Sequence, residues 1–202
     1  MPKSLYDVHP GITMLQKWIA TLKEKTGRSL EEWAALGKMK GPDGHMELRE
    51  WLKKEHKLGS NSAWHIADEV QGKPQEADPE SYLKGAEKNV EAMYSGGKAH
   101  LRLLHDALYK LAKGIAKDVK CCPCQTIVPF YRNHVIAQIK PTTRTRIDFG
   151  LALGATKASG RLIDTGGYAK KDRITHRFEI TSPKDIGGEV KRWLQRAYDM
   201  DA

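Results

Sequence analysis

Seven cations in the second half of the chain have the types and spacing to hold a polyanion. Arg144 and Arg146 stand two apart in the run KPTTRTR, and side chains two apart on an extended segment leave on the same side. Lys140 opens that run. Arg161, Lys171, Arg173 and Arg177 follow from neighbouring glycine-rich loops and from ITHRFEI. Guanidinium forks match phosphate oxygens two at a time, so this set, gathered on one surface, would track phosphates while reading little base sequence. The bland counterpart is a solvated sheet face with Arg146 paired to Asp148 or Glu179 across strands. Tyr131 and Tyr168 are the only residues placed to stack bases, which disfavours a single-strand platform.

Catalytic chemistry has thinner support. His176, Asp148 and Arg146 form the best constellation for an enzyme pocket. Alternation, however, puts His176 with Ile174, Phe178 and Ile180 on an apolar strand face, where a hydrogen-bonded core histidine is the plainer reading. The chain has no Walker loop, no G-x-G-x-x-G after a strand and no G-x-S-x-G. Asp148, Asp164 and Asp172 are scattered, which disfavours a metal-dependent nuclease. Cys121, Cys122 and Cys124 sit together in KCCPCQ with no second cysteine pair. A closed zinc site wants four ligands, so they read as free thiols in a reducing cytosol. The expectation is a binding protein rather than an enzyme, without metal or cofactor.

Composition fits that expectation. The 202 residues carry Lys+Arg 34 against Asp+Glu 25, a net +9. Residues 1–75 hold 12 basic and 10 acidic side chains, and residues 76–202 hold 22 and 15. A basic second half suits DNA or RNA, or a small anionic ligand, as partner. No stretch approaches the ~18–20 apolar residues of a membrane span. The start, MPKSLYDVHPG, lacks the apolar core of a secretory leader, which points to the cytoplasm.

The elements that must position these residues fall into two modules. Over residues 1–75, Ile12, Leu15, Trp18, Ile19 and Leu22 make one helical stripe, and Gly27 stops it. Ser29 and Glu32 form a capping box for a second helix. Leu48, Trp51 and Leu52 mark a third, and Ser60, Asn61 and Ser62 are cap-type residues before a fourth. The third and fourth resemble a helix-turn-helix, but Asp68 and Glu69 and no cation on the last helix make a poor groove reader. Residues 72–80 read as a linker. In residues 76–202, Asp78-Pro79 starts a helix, Ser95-Gly96-Gly97 breaks it, and Leu101, Leu104, Leu108, Leu111 and Ile115 mark the next. TIVPFYR and VIAQIK read as two short strands, RIDFGLAL alternates with Ile147, Phe149 and Leu151 on one face, ITHRFEI is a last strand, and Ile186, Val190, Trp193, Leu194 and Ala197 stripe a closing helix. The fold class is α+β: a small helical domain, then an antiparallel sheet packed by helices.

Two longer patterns are also familiar. KTGRSLEEWAALGKMKG with WLKKEHKLG resembles a bacterial helical family of unknown function, numbered forty-two eighty-seven. LRLLHDAL, KDVKCCPCQTIVPFYRNHVIAQIKPTTRTRIDFGLAL, ITHRFEI and WLQRAYD resemble a second such family, fifty-six fifty-five. The second pattern is also similar to the frataxin-like superfamily that holds the double-wing proteins. That resemblance implies an α+β fold and DNA binding, with no catalytic site.

Overall fold

The structure is a computed structural model that describes residues 4–73 and 76–202. Residues 1–3 and 74–75 lie outside it, and with them part of the N-terminal stretch read for a leader and part of the 72–80 linker. The chain makes two compact units. Pro10–Tyr82 is one, and residues up to His9 join Leu83–Ala202 in the other.

The helical unit follows its apolar stripes. It contains α1 (Pro10–Thr26), α2 (Leu30–Lys40), α3 (His45–His56) and α4 (Ser60–Val70). Ser29 caps α2 as its sequence requires. Glu32 N donates to Ser29 Oγ at 3.3 Å, and Ser29 N donates to Glu32 Oε2 at 2.7 Å. The fourth helix departs from expectation. Gly59 takes the cap position, and no side chain caps it. Ser62 is engaged instead by Trp18, whose Nε1 donates to its hydroxyl at 3.0 Å. Leu22, Trp33, Leu48, Leu52 and Ile66 fill the core. Gly37 lets α2 approach α4 closely, since a Cβ there would meet Val70 Cγ2 at 2.8 Å.

The helix α5 (Pro79–Met93) starts at the expected proline, with Ser81 N donating to Asp78 Oδ2 at 2.7 Å. The second unit is built on a six-stranded antiparallel sheet. Its strands are β1 (Lys120–Cys121), β2 (Val128–Tyr131), β3 (Val135–Lys140), β4 (Ile147–Leu151), β5 (Ile163–Asp164) and β6 (His176–Ile180), in the order β1-β2-β3-β4-β6-β5. Period-two alternation puts Phe130, Ile139, Phe149 and Phe178 on one face, all fully buried. Each contributes about 1.5–3 kcal/mol by leaving water. Two helices, α6 (Arg102–Lys113) and α7 (Gly188–Asp199), pack against β3 and β4. Among the described residues, no helix is long and apolar enough to cross a membrane.

Two sequence expectations change. The helix marked by Leu101 to Ile115 opens as a 3-10 turn, Gly96–Leu101, and its α-helical part α6 ends at Lys113, short of Ile115. Ile174 does not share the core face with Phe178. Its Cγ2 lies 2.6 Å from where a Gly150 Cβ would be, over the opposite face. The shift falls between Ile174 and His176, at Thr175, whose N donates to Leu151 O at 3.1 Å and whose Oγ1 accepts from Leu153 N at 3.2 Å.

The first residues strap the second unit. Cys121 N donates to Asp7 Oδ2 at 2.7 Å, Lys113 Nζ reaches the same oxygen at 3.0 Å, and Tyr109 Oη donates to Leu5 O at 2.6 Å. Removing that carboxylate orphans the Cys121 backbone N–H and leaves the Lys113 ammonium with only the Val119 carbonyl, 2.6 Å away. Asp7→Ala is expected to cost about 1–3 kcal/mol in urea unfolding, with an unchanged denaturant slope.

A buried imidazole supplies a second prediction. His105 is 1 % exposed, and its Nδ1 lies 3.1 Å from Tyr94 Oη. Burial, helped by the Arg102 charge and opposed by Asp106, lowers its pKa from 6.5 to about 4. Between those values the unfolded chain takes up a proton that the folded chain refuses. Stability is therefore complete above pH 6.5 and falls as the pH drops toward 4. The loss amounts to about 3 kcal/mol. Denaturation measured across that window will show the slope, and His105→Gln will flatten it.

Candidate anion-binding site

The face of the sheet opposite the core carries the charges. Lys140 pairs in register with Asp148, Asp148 with Glu179, and Gly150 with Arg177. A charge half covered by neighbours needs an opposite charge or water, because partial burial weakens its hydration. The strands supply opposite charges. Arg146 Nε lies 2.9 Å from Asp148 Oδ1, and its Nη1 2.9 Å from Glu179 Oε1. Arg177 Nη1 contacts the same two oxygens at 2.8 and 2.7 Å. Burial opposes the Arg177 charge, but Glu179 and Asp148 outweigh it and hold the guanidinium above its ordinary pKa.

This corrects the picture of a free guanidinium row. Arg161 is also taken: its Nε lies 3.1 Å from Glu189 Oε2, and its Nη2 donates to Asp185 O at 2.9 Å. The Arg161 backbone N–H, chiefly, holds the Glu189 carboxyl below its usual range. Arg173 donates to Val135 O at 2.8 Å and pairs with Asp201, whose side chain is 3 % exposed. Asp201 also accepts from the backbone N–H of Asn133 and of His134. Its burial favours the neutral acid, but the His134 bonds and the Arg173 charge prevail and keep its pKa low. Four of the seven named cations thus neutralise local carboxylates.

The enzyme constellation does not assemble. His176 pairs with Leu151, three register positions from Asp148–Glu179 and on the opposite face. It is 1 % exposed, with Nδ1 2.8 Å from Thr175 Oγ1. The thiols are similarly withdrawn. Burial, then the nearby Asp7 charge, pushes Cys122 up to about 12. At neutral pH it is a thiol, and the thiolate is the reactive form. Among the described residues, no three His, Cys, Asp or Glu side chains are grouped to hold a metal ion.

Cations without a carboxylate converge elsewhere. Lys98, Lys140 and Arg144 line one open groove of about 610 Å³, with Met93, Thr126 and Pro141. Among the described residues, none of the three makes an ion pair. Each comes from a different element. Lys98 sits on the 3-10 turn after the Ser95-Gly96-Gly97 break, and its Nζ donates to Pro141 O at 2.6 Å. Lys140 ends β3. Arg144 rides the loop between β3 and β4, its stem over Gly97, where a Cβ would lie 3.5 Å from Arg144 Cδ. That loop is tied to the charged face: Thr142 Oγ1 donates to Asp148 Oδ2 at 2.7 Å. Asp148 therefore neutralises two arginines and anchors the loop that carries a third.

Lys171 stands apart. It adopts a left-handed backbone conformation, φ 61°, and lines a separate cleft with Tyr168, Arg173 and Met200. Sequence reasoning named Lys140 and Arg144 but missed Lys98. No local signal marks it, because the Pro141 carbonyl that holds it is more than forty residues away.

Asp148→Ala is expected to cost about 1–3 kcal/mol, because it takes one of two carboxylate partners from each of Arg146 and Arg177 and the acceptor from the Thr142 hydroxyl. Glu179→Ala should cost about 0–1 kcal/mol, since that side chain is more exposed. Urea unfolding of both variants checks the order.

Residues 90–201 match the family model described as Domain of unknown function (DUF5655), and residues 14–72 match Domain of unknown function (DUF4287). No curated protein and no solved structure matches the chain.

Proposed function

The chain belongs to the family described as Domain of unknown function (DUF5655), and from that premise we propose that it is a non-enzymatic module that binds an anionic ligand in the groove of Lys98, Lys140 and Arg144. One observation carries the reading. The arginines on the sheet face are neutralised by Asp148 and Glu179, whereas three cations from three elements share a concavity with no carboxylate among its lining residues. Like charges brought together cost free energy unless something opposite occupies the space between them. An anion there recovers that cost. The three unbridged cysteines fit a reducing compartment and support a cytoplasmic location.

Nucleic acid is the second reading, and the charge surplus of residues 76–202 favours it. With Arg146, Arg161, Arg173 and Arg177 paired internally, phosphate binding would fall to exposed cations such as Lys140, Arg144 and Lys171. Replacing any one of these by alanine should then reduce the log–log salt slope by roughly one.

The test is calorimetric titration with pyrophosphate at low salt. Binding is expected, and the double variant Lys140→Ala/Arg144→Ala should weaken it at least ~10-fold, the effect of about 1.4 kcal/mol. Lys171→Ala should leave it unchanged. Equal loss in all variants, or no heat with the native protein, would remove the groove as a site.

A further inference from the structure

The groove's charge and donor inventory narrows the ligand. Three cations face it: Lys98 from the 3-10 turn, Lys140 from the end of β3, and Arg144 from the following loop. Among the residues lining it there is no carboxylate and no imidazole. The nearest acid in register, Asp148, is committed to Thr142, Arg146 and Arg177. His100 lies on the same turn but does not line the groove.

Neutral donors are few. The Ser95 hydroxyl donates to Ala92 O at 2.8 Å, and the Thr142 hydroxyl to Asp148. Their hydrogens are spent. Thr126 and Gln125 remain beside the cations, while Ala92, Met93 and Pro141 form an apolar wall.

A lone carboxylate, with one negative charge and two oxygens, would leave two cations uncompensated. A phosphodiester has one charge per phosphate and is no better matched. A phosphomonoester carries a charge of about −1.5 to −2 at pH 7 and three acceptor oxygens on one compact head. One guanidinium fork and two ammonium groups can each meet a separate oxygen of such a head.

We propose that the groove recognises the dianionic head of a small phosphomonoester, with the ester's organic part against Met93 and Pro141. This assignment rests on the anion-binding reading above and adds the ligand class to it. It also fixes the source of any pH dependence. No carboxylate or imidazole lines the groove, so the titrating group is the ligand's second phosphate proton, lost near pH 6.

The experiment uses the full chain, labelled with nitrogen-15. Phenyl phosphate, dimethyl phosphate, acetate and a short DNA duplex are titrated separately, and the amide shifts of Gly97 and Thr142 are followed. Phenyl phosphate should bind at least ~10-fold tighter than dimethyl phosphate or acetate, about 1.4 kcal/mol. Its affinity should rise between about pH 5 and 7 and level off above, in the native protein and in His100→Gln alike. Arg144→Lys should retain part of the affinity, and Arg144→Ala should lose it, with both variants giving native-like spectra.

Equal affinity for the three small anions, abolished by Arg144→Ala, would overturn the monoester assignment while leaving the anion groove standing. A pH dependence that disappears in His100→Gln would overturn it as well. Binding of the duplex, sensitive to the same variants, without binding of phenyl phosphate would move the ligand to nucleic acid. Absence of any shift at Gly97 and Thr142 would end both readings together.

Discussion

Charge compensation on a half-covered sheet face is the constraint from which the rest follows. Strand alternation forces every second residue of β4 and β6 away from the core. In this chain those residues are Asp148, Gly150, Arg177 and Glu179, and Arg146 reaches the same charges from just before β4. None of the charged ones is fully solvated, so each must meet an opposite charge. Removing one partner strands the other at a cost larger than the pair's net worth. The register satisfies them as a group of two cations and two anions. The same Asp148 holds Thr142, so the charged face also fixes the loop that carries Arg144. Compensation in one place produces exposure of charge in the next.

Much of the fold was legible because its signals are local and periodic. The α2 capping box, the Asp78-Pro79 start of α5 and the alternation of β4 each lie within a few residues, and each stands as read. What escaped is set by distant partners. The two-residue strands β1 and β5 have too little length for a pattern, and they exist because β2 and β6 offer open edges. Counting in twos places Ile174 on the core face, but the count breaks at Thr175 and Ile174 lies over Gly150 on the other face. Gly59, not Ser60, Asn61 or Ser62, takes the cap of α4, and Ser62 serves Trp18 within the helical unit.

The site shows the same division. Residue types and strand faces were readable, and the pairing of Arg146 with Asp148 or Glu179 was foreseen as the bland counterpart to a binding surface. Which arginines remain free depends on strand register and loop approach, and neither is visible in composition. Arg161 could not be tied to Glu189 without knowing that α7 returns beside it. Lys98 gave no hint of its neighbours, since more than forty residues separate it from the Pro141 carbonyl that holds it.

The strap carries that lesson to the definition of a domain. Neither matched segment includes residues 4–9, yet those residues complete the second unit. Tyr6 is 8 % exposed, its ring edge-on to Tyr109 at 6.1 Å, and burial pushes its hydroxyl up to about 12. Asp7 supplies an acceptor to the backbone of β1 and to Lys113 on α6. The helical unit is thus an insertion between the strap and the second half of α5. Bringing its two ends together over about seventy residues costs only slowly growing loop entropy. A compact inserted unit offsets that cost through its own folding. The buried aromatic and the bonded carboxylate hold a segment remote in sequence as part of the second unit.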